Sequence, residues 1–198
     1  MAVVIEGNVN LSDCKNLVRL KGITEIKGRL DLSNCGNFKD LGELKKVGGG
    51  LNLSDTPIKD LGDLKEVGEN LYLRDTLIED LGNLEKVGGS IFLSDTQIQD
   101  LGNLEKIGGN LDLRNTPIKD LGNLKEVGVS LDLRNTPIQD LGNLKEVGGN
   151  LDLRRTQIKS LGNLEKVGWQ IFLNKNSKVT KEYIKKYKPE LFEKCKWE

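Results

Sequence analysis

Apolar residues recur along this chain in one phrase, L-x-L-x-x-T-x-I-x-x-L-x-x-L-x-x-V-G. Residues 111–130, LDLRNTPIKDLGNLKEVGVS, state it most plainly, and residues 131–150 repeat them with three of twenty positions changed. A fixed period of this size is the mark of a solenoid, in which each turn of chain stacks on the last. Aligned on their apolar-x-apolar tripeptides, the turns begin at Val9, Leu30, Leu51, Leu71, Ile91, Leu111, Leu131, Leu151 and Ile171. The first two spacings are 21 residues and the others 20; the extra residue lies in SDCKNL and SNCGNF, where later turns read SDTPI.

The opening L-x-L alternates, as a strand with one buried face should. The second half places apolar residues at every third position, as at Ile58, Leu61, Leu64 and Val67. That spacing suits extended or 3₁₀-like turns better than an α-helix, whose stripe mixes steps of three and four. Asp40, Asp60, Asp80, Asp100, Asp120 and Asp140, with Ser160 last, precede a leucine where a side chain can cap a tight turn. Glycines from Gly48 to Gly168 close the turns, which implies positive φ or a very close approach of the chain. At strand spacing of about 4.8 Å, nine turns would make a rod roughly 40 Å long.

After Ile171-Phe172-Leu173 the period stops. Residues 175–198 are expected to form a helical cap on a 1–174 solenoid. Thr180 can cap a short helix through Tyr187, and Lys188-Pro189 can start a second. Val179, Ile184, Tyr187, Leu191, Phe192 and Trp197 would close over the last turn, with Trp169 and Phe172 beneath. The apolar end Met1–Gly7 is short, and a weakly covered end invites end-to-end pairing.

The tripeptide and its threonine resemble the strand half of the leucine-rich repeat, L-x-x-L-x-L-x-x-N/C-x-L. Cys14 and Cys35 stand at its Asn/Cys position, followed there by Thr56, Thr76, Thr96, Thr116, Thr136 and Thr156. Glycine replaces the leading leucine. The openings I-E-G-N-V-N-L and I-K-G-R-L-D-L resemble repeats of receptor L-domain type. The resemblance covers residues 3–173. It implies an α/β-class leucine-rich-repeat solenoid of eight to nine rungs, with one parallel β-sheet and a 3₁₀ or extended convex side, used to bind other molecules. Twenty residues also equal four pentapeptides, the rung of a square β-helix. LNLSD and TPIKD fit that template, but LGDLK puts Asp63 where an apolar side chain should point inward.

Composition narrows the functional classes. Thirty basic and thirty acidic residues leave no net charge, which disfavours nucleic acid as partner. No apolar run approaches the ~20 residues of a membrane span, and MAVVIEGNVNLSD lacks the layout of a secretory signal. Three cysteines are too few for a disulfide framework, so a reducing cytoplasm is expected. There is no histidine, which removes Ser-His and Cys-His nucleophile pairs, and no spacing suggests a metal or cofactor site.

What remains is the outward face of the tripeptides. Its two columns run through Tyr72, Phe92, Asp112, Asp132 and Asp152, and through Arg74, Arg114, Arg134 and Arg154. Tyr72 and Phe92 should be neighbours, an aromatic pair on a polar face, and exposed aromatics are enriched at binding hot spots. The expected function is a non-catalytic module binding a protein or peptide. Tyr72 and Phe92 would anchor the ligand, with Arg74, Asp112, Arg114, Asp132 and Arg134 orienting it. The alternative is a structural or self-assembling scaffold, monomeric or weakly associating end to end.

Overall fold

The computed structural model describes residues 3–198, so Met1 and Ala2 of the apolar N-terminal end lie outside it. The chain is a parallel β-solenoid of about ten turns with a repeat of about 20 residues. Each turn returns in register: Leu111 pairs with Leu131 and Asp112 with Asp132. Backbone hydrogen bonds link the turns, such as Leu71 N–H to Ser90 O at 2.9 Å and Leu111 N–H to Ser130 O at 2.9 Å.

One parallel sheet was expected; among the described residues there are two. The ten-stranded sheet is built from the L-x tripeptide starts, such as Leu111–Asp112. The nine-stranded sheet uses the residues just before the closing glycines, such as Glu126–Val127. The second arises because the whole turn repeats at strand spacing, so any extended stretch meets its own copy and pairs with it. The turn count also exceeds eight to nine. The tenth strand comes from the tail, where Cys195–Trp197 pairs with Ile171–Leu173.

The interior side chains of one turn are Leu51, Leu53, Thr56, Ile58, Leu61, Leu64 and Val67, all essentially inaccessible. Their uneven steps rule out the five-residue register of a square β-helix, and Asp63 is exposed. Same-type residues stack turn upon turn, so the core is a set of aliphatic columns. The threonine column satisfies itself locally: Thr56 Oγ1 donates to Leu53 O at 2.6 Å, and Thr116 Oγ1 to Leu113 O at 2.7 Å. In the two longer turns cysteine takes that place, with Cys35 Sγ donating to Leu11 O at 3.0 Å. Stacking accounts for both early cysteines, and all three are free thiols.

The convex side, expected to be 3₁₀ or extended, is a series of single turns between extended stretches. Leu64 N–H reaches Leu61 O at 3.2 Å, but Gly62 between them has φ +56°, which a right-handed helical turn cannot continue. The aspartates cap these turns as expected, Asp60 Oδ1 accepting from Gly62 N–H at 3.0 Å and Asp120 Oδ1 from Gly122 N–H at 3.0 Å.

The closing glycines have a different reason to be glycine. Their φ is ordinary, but a Cβ on Gly108 would overlap the carbonyl of Gly88, and one on Gly128 that of Gly108. Close approach, not positive φ, selects them. Left-handed backbone also occurs after the tripeptide, at Asp55, Asp75, Asp95, Asn115 and Asn135, residue types that tolerate it. Arg155, with φ 58°, holds the same position without that tolerance.

The tail begins its helix, Lys181–Tyr187, at the expected cap, where Thr180 accepts from Tyr183 N–H at 3.2 Å. A 3₁₀ segment, Pro189–Lys194, leads into the last strand. Val179, Ile184 and Leu191 are buried against the solenoid, whereas Tyr187 and Trp169 are 56% and 61% exposed. Trp169 therefore does not lie beneath the cap. It follows a closing glycine at an outward corner that the tail leaves uncovered. No helix among the described residues is long and apolar enough to cross a membrane.

Gly108→Ala is expected to lower unfolding stability by about 1–3 kcal/mol or more, because backbone atoms on both sides cannot yield as a side chain would. Urea denaturation with circular dichroism measures it, and an unchanged midpoint would show that the turns are less tightly apposed.

Candidate functional site

The outward face of the ten-stranded sheet carries every residue singled out from the sequence. The in-register pairing that joins Ile91 to Leu71 also sets Phe92 beside Tyr72. Their rings stack at 5.0 Å between centroids and 9° between planes. Stacking thus covers one face of each ring and leaves the ring edges and the Tyr72 hydroxyl outside the contact. Asn70 Nδ2 donates to that hydroxyl at 3.1 Å, which fixes the ring from the turn's own corner.

Arginines on this face follow one rule: each leans toward the next turn. Arg74 lies over the Phe92 ring at 5.3 Å, and Arg154 over Phe172 at 5.1 Å. Arg114 reaches Asp132 at 3.5 Å and Arg134 reaches Asp152 at 3.4 Å. The sheet brings outward side chains of both neighbouring turns within reach, and the arginines use those of the turn that follows.

Within their own turns Arg114, Arg134 and Arg154 also grip an aspartate. Arg114 Nε donates to Asp112 Oδ1 at 2.8 Å and Nη2 to Oδ2 at 2.7 Å, a two-pronged pair. Arg134 with Asp132, and Arg154 with Asp152, repeat it. The charges form a zipper in which each interior guanidinium touches the carboxylates of two turns.

Burial pushes the Asp112 carboxyl upward. Hydrogen bonds from the Arg114 side chain and backbone, with the charges of Arg114 and Arg74, outweigh that and hold it below its ordinary value. Asp112 in turn raises the already high Arg114, so both stay ionised across the physiological range.

The seven expected residues fall into two adjoining groups. Tyr72, Arg74 and Phe92 form one, and Asp112, Arg114, Asp132 and Arg134 the other. Ser94, 8% exposed, stands in the arginine column between them. Arg74 has no carboxylate within 4 Å among the described residues.

Beside the second group runs an open trough of about 440 Å³. Its lining adds Arg154, Arg155, Asn174 and Glu198 to residues of the zipper. Asn115 and Asn135 line it too: Asn135 Nδ2 donates to Asn115 Oδ1 at 2.8 Å, and Asn115 Nδ2 to Asp95 Oδ1 at 2.7 Å. Sequence reasoning did not place Arg155 or Glu198 here. An arginine ending a column of seven aspartates and asparagines, Asp13 to Asn135, was the available signal for the first. For the second there was none, because the tail's strand pairing sets it.

Fold and face together define a repeat protein of the parallel β-solenoid class with one continuous charged and aromatic face. No family model matches the chain, and no curated protein or solved structure matches it.

Asp112→Asn should cost about 1 kcal/mol at neutral pH, a small value because Arg114 is partly exposed. The depressed carboxyl gives its full stabilisation above its unfolded value of 3.8 and loses it as pH falls through the folded value. The wild-type advantage should therefore fade in denaturation curves as the pH falls below 3.8 and be gone once the folded value is passed; an advantage undiminished by acid would remove the charge from the explanation.

Proposed function

We propose that this chain is a non-catalytic recognition module of leucine-rich-repeat type, which holds a protein or peptide ligand across the outer face of its ten-stranded sheet. The observation that carries the reading is the row from Tyr72 to Arg134, half-exposed and held in place by stacking and ion pairs. Such side chains lose little freedom on binding, so less of the contact energy is spent in ordering them. Ring edges at Tyr72 and Phe92 serve as apolar anchors, and Arg74 offers a guanidinium that no carboxylate holds.

The leucine-rich-repeat assignment draws on the tripeptide and on the Cys/Thr column, whose side chains bond backbone carbonyls. The second sheet is a departure from the expected single-sheet form. The reading includes a cytoplasmic location, supported by three free thiols, and no enzymatic role, since the chain lacks histidine.

The test compares immobilised wild type with a folded Tyr72→Ser/Phe92→Ser variant in capture from native lysate. Proteins enriched by the wild type should be lost with the variant. Recovery of the same proteins by both would sink the anchor placement.

A second reading, a self-assembling scaffold, is favoured by the N-terminal end. Val3, Val4 and Val18 are 46%, 45% and 52% exposed, whereas the inward-pointing leucines, isoleucines and valines of interior turns are inaccessible. In sedimentation velocity this reading expects a larger species to grow with concentration; a single monomeric boundary throughout would exclude it.

A further inference from the structure

We propose that the trough beside the zipper binds an acidic peptide, and that Glu198 occupies part of that site as a resident competitor. This deepens the recognition-module reading and rests on it.

The aspartates take the Nε and Nη2 edge of Arg114, Arg134 and Arg154, which leaves each Nη1 outside those pairs. On Arg154 that edge is filled: Nη1 donates to the Glu198 carboxylate at 2.6 Å. On Arg114 and Arg134 no acceptor meets Nη1 among the described residues. Two unfilled positions thus adjoin a filled one, and the filled one shows the chemistry they accept. Arg155, exposed and without a carboxylate within 4 Å among the described residues, adds a fourth guanidinium to the same trough.

How Glu198 is presented identifies the ligand further. It follows the Cys195–Trp197 strand and is held by its own backbone, with Glu198 N–H to Leu173 O and Lys175 N–H to Glu198 O, both at 2.9 Å. The resident group is therefore a carboxylate side chain on an extended peptide. With Glu198 displaced, the four guanidiniums face Asp112, Asp132 and Asp152 of the zipper and Asp95 beside it, so what draws an incoming carboxylate is the open Nη1 edges and not a net charge. Charges so nearly balanced are too little for a nucleic-acid backbone, whose binding depends on neutralising many phosphates at once. A short acidic segment that sets a carboxylate on each open Nη1 edge matches them.

The test measures fluorescence anisotropy of a fluorescein-labelled hexaglutamate peptide with the 198-residue chain, and of hexaglutamine as control. Hexaglutamate should bind at low salt, weaken as salt rises, and outbind hexaglutamine. Glu198→Gln should tighten it severalfold by removing the competitor. Arg114→Gln/Arg134→Gln should weaken it about tenfold, near the effect of one charged hydrogen bond. Arg155→Asn guards against misfolding, because it should weaken binding while raising the melting temperature by relieving left-handed strain. Equal binding of hexaglutamine, or hexaglutamate binding indifferent to the arginine and Glu198 substitutions, overturns the proposal. If hexaglutamate fails while Tyr72→Ser/Phe92→Ser still abolishes partner capture, the acidic class falls and the recognition face stands. If capture is indifferent to the aromatic variant while hexaglutamate binds through the arginines, the anchors fall and the trough stands.

Discussion

The contact between one turn and the next, repeated at nearly every residue, is the constraint on which this molecule depends. Val87 O accepts from Gly108 N–H at 2.9 Å, and the carbonyl of Gly88 lies where any Cβ on Gly108 would have to go. Backbone meets backbone so closely there that only glycine fits. With that contact in place the turns are in register, and register stacks leucine on leucine and threonine on threonine. A single turn lacks the buried area to offset its ordering entropy, so stability belongs to neighbouring turns jointly.

Register has a consequence at the surface. Identical residues stacked at strand spacing would set like charges side by side, an unfavourable arrangement. The face keeps such a column, Asp112, Asp132 and Asp152, and offsets it with the arginine column beside it, each arginine leaning toward the following turn. Where aspartate gives way to phenylalanine, the same lean sets a guanidinium over a ring, as at Arg74 and Arg154. The aromatic pair and the ion zipper are thus two outcomes of one geometry. Their rigidity comes from the sheet beneath them and suits them to recognition.

Much of the fold was legible because it is local and periodic. Leu51, Leu53, Ile58, Leu61, Leu64 and Val67 announced their burial by spacing, and Asp60 its cap by preceding Leu-Gly. The second sheet was not legible: Glu126-Val127 carries no strand pattern of its own and pairs only because Glu146-Val147 lies beside it. The Tyr72–Phe92 contact was readable from the period, whereas the covering of each ring by the other needed side-chain geometry. Arg155 was visible as an exception in its column, but the left-handed backbone that makes it one was not.

Chain order alone, then, sets the period, the inward columns and the residues that stand opposite one another, because each depends only on counting along a repeating turn. The trough, the free edges of Arg114 and Arg134 and the seating of Glu198 on Arg154 come from the three-dimensional structure. Arg154 and Glu198 are 44 residues apart in sequence. They meet because the tail folds back and adds one more strand to the stack, and no local pattern encodes a contact made by that return.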